Sequence, residues 1–315
     1  MPIEENLRTH INLLCAENRK PHTKGHEEAQ SYISDSVRAM GYQIQRQDFR
    51  AIPYGLCRNL YVETGPENGN RFIIGGHYDA LGRSGPAADD NASAVAILLE
   101  LISHAPADIP LTFVFFDYEE DIGFFGRKGS QAFVKTYPKP MCGAPVLDLV
   151  GGSFMPGFDQ SFFQFGTAME TLRHNNLEFF HMPMKFIEPI GKCAPRSDYA
   201  SFRSRGIPFT FISSGTPWYY HSQNDTPDIL HFDKMMHLTE SIINTWGIQP
   251  IAAQPHVDWK QLPEIARRIS VIPALNDRYF RRMAASTRKP GSLSILKLYF
   301  KVIPKLKKLG PDLWT

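Results

Sequence analysis

FIIGGHYD, residues 72–79, is an apolar run that breaks off into a histidine and an aspartate. A short run of this kind, with no polar alternation, suits a strand covered on both faces of a sheet. Three later segments follow the same plan. LTFVFFDYEE (111–120) ends in two glutamates, PVLDLVGG (145–152) carries Asp148, and IPFTFISSGTPWYYH (207–221) leads to His221. NASAVAILLEL (91–101) reads as a helix, and Asp89 and Asp90 stand before it. Buried strands alternating with helices predict an α/β three-layer sandwich, with a mostly parallel central sheet flanked by helices. In open α/β sheets, ligands collect beyond the C-terminal ends of the strands, and the polar residues fall at those ends.

Toward the N-terminus, Ile3, Leu7, Ile11 and Leu14 share one helical face, and so do Ala29, Ile33, Val37 and Met40. The breaker NRKPHTKG (18–25) separates the two helices, and Gly41 is a helix stop. YQIQRQDF (42–49) and NLYVET (59–64) are further strand candidates, and Ser130–Lys135 a short helix. The segment 152–200 is rich in aromatics, Pro and Gly and has no clear period. It is expected to be an insertion that shapes a pocket.

A chain of 315 residues with 43% hydrophobic and 21% charged residues has ordinary globular composition. Its net charge of +2 hides an asymmetry. Residues 256–315 hold 13 Lys and Arg against 4 Asp and Glu, which leaves the first 255 residues acidic. Residues 251–315 therefore read as a Pro-containing, basic C-terminal extension. LSILKLYFKVIPKLKKLG (292–309) is expected to pack its apolar face on the acidic body; contact with an anionic membrane or a partner is the other reading. No nucleic-acid-binding motif accompanies the charge, so nucleic acid is not an expected partner. The four cysteines include no Cys-x-x-Cys pair and make no disulfide scaffold. MPIEENLRTH has no apolar signal core, and no apolar run reaches the roughly 20 residues of a membrane span. A cytoplasmic location with free thiols is the expectation.

Taken singly, each polar feature has a plain explanation. A lone histidine beside an apolar strand is usually a hydrogen-bonded core residue, and Asp90 would serve as a helix N-cap. The ensemble is different. Several carboxylates at one end of a sheet repel one another and lose solvation unless cations neutralise them. Two histidines with three carboxylates suit zinc, which takes nitrogen and oxygen ligands. No G-x-S-x-G elbow or GxxxxGK[ST] loop offers serine-hydrolase or nucleotide chemistry.

HYD (77–79), DDNASA (89–94), EE (119–120), LDLVG (147–151), SDYASFRSRGIP (197–208) and YYHSQNDT (219–226) together resemble metallopeptidase family 28, the di-zinc aminopeptidases. The resemblance spans roughly residues 5–245 and makes residues 1–250 a zinc peptidase domain. It implies two zinc ions per chain. His77 and Asp148 would hold one ion, Glu120 and His221 the other, with Asp90 bridging them. Asp89 would support or cap, Asp79 would orient the His77 ring, and Glu119 would be the general base. Adjacent residues at a strand end point in different directions, which is consistent with one glutamate binding metal and its neighbour facing substrate. The implied substrate is a peptide with a free N-terminus.

The chain departs from the family pattern in DIGFFGRKGS (121–130), which is longer than usual, and in LDLVGG where D-M-I-G is common. Tyr199, Tyr219 and Tyr220 are candidates for contacting substrate, with core packing as the other reading. The nearest rival function is the single-zinc glutaminyl cyclase, which shares the fold. Its tryptophan before the last histidine is Tyr220 here. A carboxypeptidase or dipeptidase, and a catalytically silent metal-binding relative, are further alternatives.

Overall fold

In the computed structural model, residues 2–51, 55–120, 127–154, 157–167, 172–181 and 197–245 are described. The basic extension 251–315, Asp121 and most of the DIGFFGRKGS run lie outside these residues.

The N-terminal periodicity forms two helices, α1 (Ile3–Leu14) and α2 (Lys24–Ala39). Their apolar stripes, Leu7, Ile11 and Leu14 on one and Ala29, Ile33 and Val37 on the other, are all buried. Among the described residues, eight strands follow: β1 (Ile44–Ala51), β2 (Gly55–Thr64), β3 (Arg71–His77), β4 (Leu111–Phe116), β5 (Met141–Leu147), β6 (Ser161–Gly166), β7 (Glu178–His181) and β8 (Phe209–Ser213). They make one sheet in the order β1-β2-β4-β3-β5-β8-β6-β7. The centre, β4-β3-β5-β8, is parallel throughout. Antiparallel pairings join β2 to β4 and β1 to β2 at one edge, and β6 to β8 at the other.

Alternation within these apolar strands splits their side chains between two cores. Ile74, Phe113, Phe115, Leu147 and Ile212 face the layer made by α1, α2, α3 (Ser93–Ser103) and the helix we label α6 (Phe232–Ile243). Ile73, Val114, Phe116, Val146 and Phe211 face α4 (Lys128–Thr136) and α5 (Tyr199–Ser204). The predicted three layers are thus present. The α3 helix is buried along its length from Ser93 to Ile102, as a nearly all-apolar helix beside the central strands must be.

Most element ends shift by a few residues from the sequence reading, and those nearest the strand-end residues matter most here. β4 stops at Phe116 because the Asp117 N–H leaves the ladder to donate to Asn59 Oδ1, and Tyr118 then takes a left-handed φ of 63°. β5 stops at Leu147, with Leu149 at φ 55° turning the chain. β3 ends at His77 rather than at Asp79. The helix expected from Asn91 begins at Ser93, after a single wide turn over Ala88–Ala92. The segment 152–200 is not simply a pocket-shaping insertion. It supplies β6 and β7, which stack Phe162 on Phe179, and Phe158 just before β6 stacks on Phe163; its residues 182–196 lie outside the described set.

Because the four central strands run parallel, their C-terminal ends share one edge of the sheet. The residues that follow them, 77–79, 117–120, 148–152 and 214–221, are therefore brought together. Among the described residues, no helix is long and apolar enough to cross a membrane.

Candidate metal centre

Every histidine and carboxylate singled out from the sequence reaches this edge. Asp90 lies at the middle, 2% exposed. Its Oδ1 is 3.4 Å from His77 Nε2, and its Oδ2 is 3.2 Å from His221 Nε2. Each histidine has a second carboxylate of its own: Asp148 Oδ1 stands 3.7 Å from His77 Nε2, and Glu120 Oε1 stands 2.9 Å from His221 Nε2. Two ligand atoms on one tetrahedral zinc ion are about 3.3 Å apart, since each bond is roughly 2.0–2.1 Å long. The longer separations here are poor hydrogen bonds but near the edge length of such a coordination shell. One nitrogen of His77 and one oxygen each of Asp90 and Glu120 lie within 4.8 Å of one another.

Charge gives a second test of fit. Asp79, Asp90, Glu119, Glu120 and Asp148 converge with only two histidines to offset them. Burial pushes Glu119 well above the usual carboxylate range; the His77 charge opposes that shift, and Glu120, Asp198 and Asp148 add to it. Burial likewise raises Glu120, reinforced by the Asp90 charge. Burial disfavours the His77 imidazolium, but contacts with Asp148, Asp79 and Asp90 outweigh it and raise the ring well above its ordinary value. Asp90 goes the other way: burial would raise it, and the two histidines hold it well below the carboxylate range. Buried acids in excess of buried bases suit a divalent cation, and the nitrogen and oxygen donors suit zinc. The residues present therefore fit a zinc centre.

The carboxylates that do not face the histidines hold the ones that do. Asp79 accepts the Glu119 N–H on Oδ1 (3.1 Å) and the Glu120 N–H on Oδ2 (3.0 Å). The His77 ring is oriented chiefly by the Asp79 main-chain carbonyl, 3.1 Å from Nδ1; the Asp79 carboxylate is 3.5 Å away. Asp225 repeats the arrangement. Its two oxygens accept the N–H groups of Asp89 (2.7 Å) and Asp90 (3.1 Å). Asp89 in turn accepts the N–H groups of Gly151 (2.8 Å) and Gly152 (3.0 Å), fixing the turn after Asp148. Ser197 Oγ donates to Asp148 Oδ2 at 2.8 Å. Asp90 does not cap α3 through its side chain; no side-chain cap is present there.

Left-handed φ angles mark the same places. Ala87, Tyr118, Leu149 and His221 have φ of 52°, 63°, 55° and 57°. Non-glycine residues rarely adopt this region, and here each lies within three residues of a clustered acid or is itself the histidine. Such strain persists where surrounding structure over-determines it.

The three tyrosines separate. Tyr199 is core: its ring packs against Phe165, Phe209 and Phe211. Tyr219 is 2% exposed and its hydroxyl donates to Asp89 Oδ2 at 2.9 Å, so that it holds the scaffold instead of facing substrate. Gly152 is needed there, because a Cβ would overlap the Tyr219 hydroxyl. Only Tyr220 is beside the cluster, its ring stacked on His221 at 3.7 Å between centroids. Asp225, Ser197 and Asp198 were not assigned roles from the sequence, although all lie in the quoted motifs. Asp198 is buried, and burial pushes it up to about 7.

Known proteins with similar folds include both chemistries. An aminopeptidase from Aneurinibacillus sp. strain AM-1 is similar with a TM-score of 0.64 and 15% identity, covering 81% of this chain and 96% of that one. The Porphyromonas gingivalis glutaminyl cyclase is similar with a TM-score of 0.62 and 19% identity, covering 76% and 96%. Among curated sequences, the uncharacterised Escherichia coli (strain K12) protein YfbL is 31% identical over 131 residues, which span 38% of this chain and 40% of that protein. The model of peptidase family M28 matches residues 59–246, more than half of the sequence, and the chain belongs to that family.

Proposed function

We propose that this protein is a zinc aminopeptidase with two metal ions, which hydrolyses the N-terminal bond of peptides carrying a free amine. The observation that carries the reading is the position of Asp90, whose two oxygens face two different histidines, each with its own further carboxylate. His77 and Asp148 would hold one ion, Glu120 and His221 the other, and Asp90 both. Bound zinc supplies Lewis acidity for the attacking water and the scissile carbonyl. Glu119 is the proton carrier: its carboxylate takes a proton from the attacking water and gives it to the departing amine nitrogen. Asp79 keeps Glu119 and Glu120 in place through their main-chain N–H groups, so base and ligand move as one unit. Tyr220, stacked on His221, restricts that ring and borders the approach to it.

Family membership supports a hydrolase with zinc, and the likeness to an aminopeptidase supports the finer reading. The likeness to a glutaminyl cyclase supports a second one, cyclisation of an N-terminal glutamine with a single zinc. One experiment separates them. Zinc per chain is measured on a sample assayed with aminoacyl p-nitroanilides and with a glutaminyl peptide, before and after chelation. Two active-site zincs and chelator-sensitive release of p-nitroaniline are the expected result. One zinc, no release and cyclised peptide would replace the proposal by the second reading.

A further inference from the structure

We propose that His174, His237 and Glu240 form a second divalent-metal site at the β7 edge, separate from the strand-end cluster and independent of the peptidase reading. His237 and Glu240 are three residues apart on α6, which puts them on neighbouring positions of one helical face. His174 comes from the segment that leads into β7. One nitrogen of each ring and one Glu240 oxygen lie within 4.8 Å of one another. His174 Nε2 is 3.1 Å from Glu240 Oε2, and the two rings stack with centroids 4.5 Å apart.

Asn176 engages the far side of each ring. Its main-chain N–H donates to His174 Nδ1 at 3.2 Å, and its side-chain amide is 3.1 Å from His237 Nε2. The nitrogens that remain are His174 Nε2 and His237 Nδ1. His237 Nδ1 is buried and has no hydrogen-bond partner among the described residues. A buried polar atom left in this way is a deficit that calls for a partner, and a cation between the two rings and Glu240 would supply one. On the His237 ring, Nε2 is protonated when Nδ1 holds a metal, and the Asn176 amide with its oxygen turned to the ring would accept that proton, as the far-side partners of metal-binding histidines do.

Two imidazole nitrogens and one carboxylate oxygen are a zinc donor set that leaves a fourth position for water. Binding requires these ligand atoms, within 4.8 Å of one another, to close to about 3.3 Å, the edge of a zinc tetrahedron. Glu240, whose side chain is 38% exposed, has room to move. Zinc on His174 Nε2 moves that ring's proton to Nδ1, so the 3.2 Å contact from the Asn176 N–H opens on binding. The bound ion would tie the chain before β7 to α6, beside the existing Ser241 Oγ–Arg173 carbonyl hydrogen bond.

The probe is Zn2+ itself, applied by equilibrium dialysis to chelator-stripped full-length chain, wild type and the variants His237→Ala and Glu240→Gln. Wild type is expected to bind one more zinc per chain than either variant. Zinc-edge anomalous diffraction is expected to place that ion between His174 and His237. Equal zinc in all three proteins, or an extra ion located elsewhere, would overturn the site. If His237→Ala fails to fold, Glu240→Gln decides alone. Zinc at the strand-end cluster is common to all three proteins, so failure here is distinguishable from failure of the proposed activity.

Discussion

The strand-end cluster and the β7-edge cluster use the same residue types but are held in different ways. At the strand ends, His77, Asp90, Glu120, Asp148 and His221 come from five separate segments. Nothing in local geometry spaces them, so buried carboxylates do it: Asp79, Asp89 and Asp225 each grip two consecutive main-chain N–H groups. At the β7 edge, one turn of α6 sets the spacing of His237 and Glu240, and one asparagine touches both rings. The first arrangement fixes positions to the precision that a reaction requires. The second leaves Glu240 exposed and able to swing, which would suit holding an ion better than catalysis.

Substitutions can break this contrast, and the largest effect is expected at the proposed base. Glu119→Gln is expected to keep zinc at the wild-type level and to lower kcat by about 10²–10⁴-fold. A variant with near-normal kcat, or one that lost zinc, would remove Glu119 from that role. Next comes the scaffold. Asp225→Ala strips the acceptor from the buried N–H groups of Asp89 and Asp90 without touching a ligand side chain. It should weaken zinc binding about 10–100-fold and destabilise the fold by about 1–3 kcal/mol, read by competition with a chelating dye and by thermal melting. Unchanged zinc affinity would mean that the clamp is dispensable and that the contrast between the clusters is overstated.

A smaller effect tests the helix that borders both regions. Lys234 on α6 is fully buried, donates to the Gly152 carbonyl (2.7 Å) and to Ser214 Oγ (2.8 Å), and lies over the Phe162 ring. Burial lowers its pKa to about 7, from 10.5 in the unfolded chain. Between those values the unfolded chain binds more protons than the folded one, so stability should rise with pH from about 7 to 10.5. Below about pH 7 both states are protonated and this contribution stops changing. Lys234→Met should flatten the rise in denaturant midpoint across that window; identical slopes in the two proteins would contradict the assignment. Smallest of all, Glu240→Gln should leave kcat unchanged.

Most of the site was legible because its chemistry is written as short motifs at strand ends. β3, β4, β5 and β8 are apolar on both faces, so HYD, EE, LDLVG and YYHSQNDT could be placed at strand ends from the sequence, although their order along the edge could not. The clamps were not legible in this way. Asp225 sits in a quoted motif, yet its partners, the N–H groups of residues 89 and 90, are determined only by tertiary structure. Tyr199 and Tyr219 misled for a related reason: a tyrosine has a polar end and an apolar body, and sequence does not say which is used. β6 and β7 were missed because SFFQFG and EFFH are short and stand beside turn-forming residues, and only tertiary pairing of β6 with β8 and of β7 with β6 makes them strands.

The Asp225 clamp also bears on how the protein is made. It joins residues 136 apart in sequence, and the Asp79 and Asp89 clamps join residues 40 and 62 apart. Contacts of such range close late, after the chain entropy of a long loop has been lost. A growing chain that ends before residue 225 lacks the clamp, and no local fragment contains the ligand set. Metal uptake should therefore accompany completion of the whole sheet, and its kinetics should follow the slowest phase of refolding.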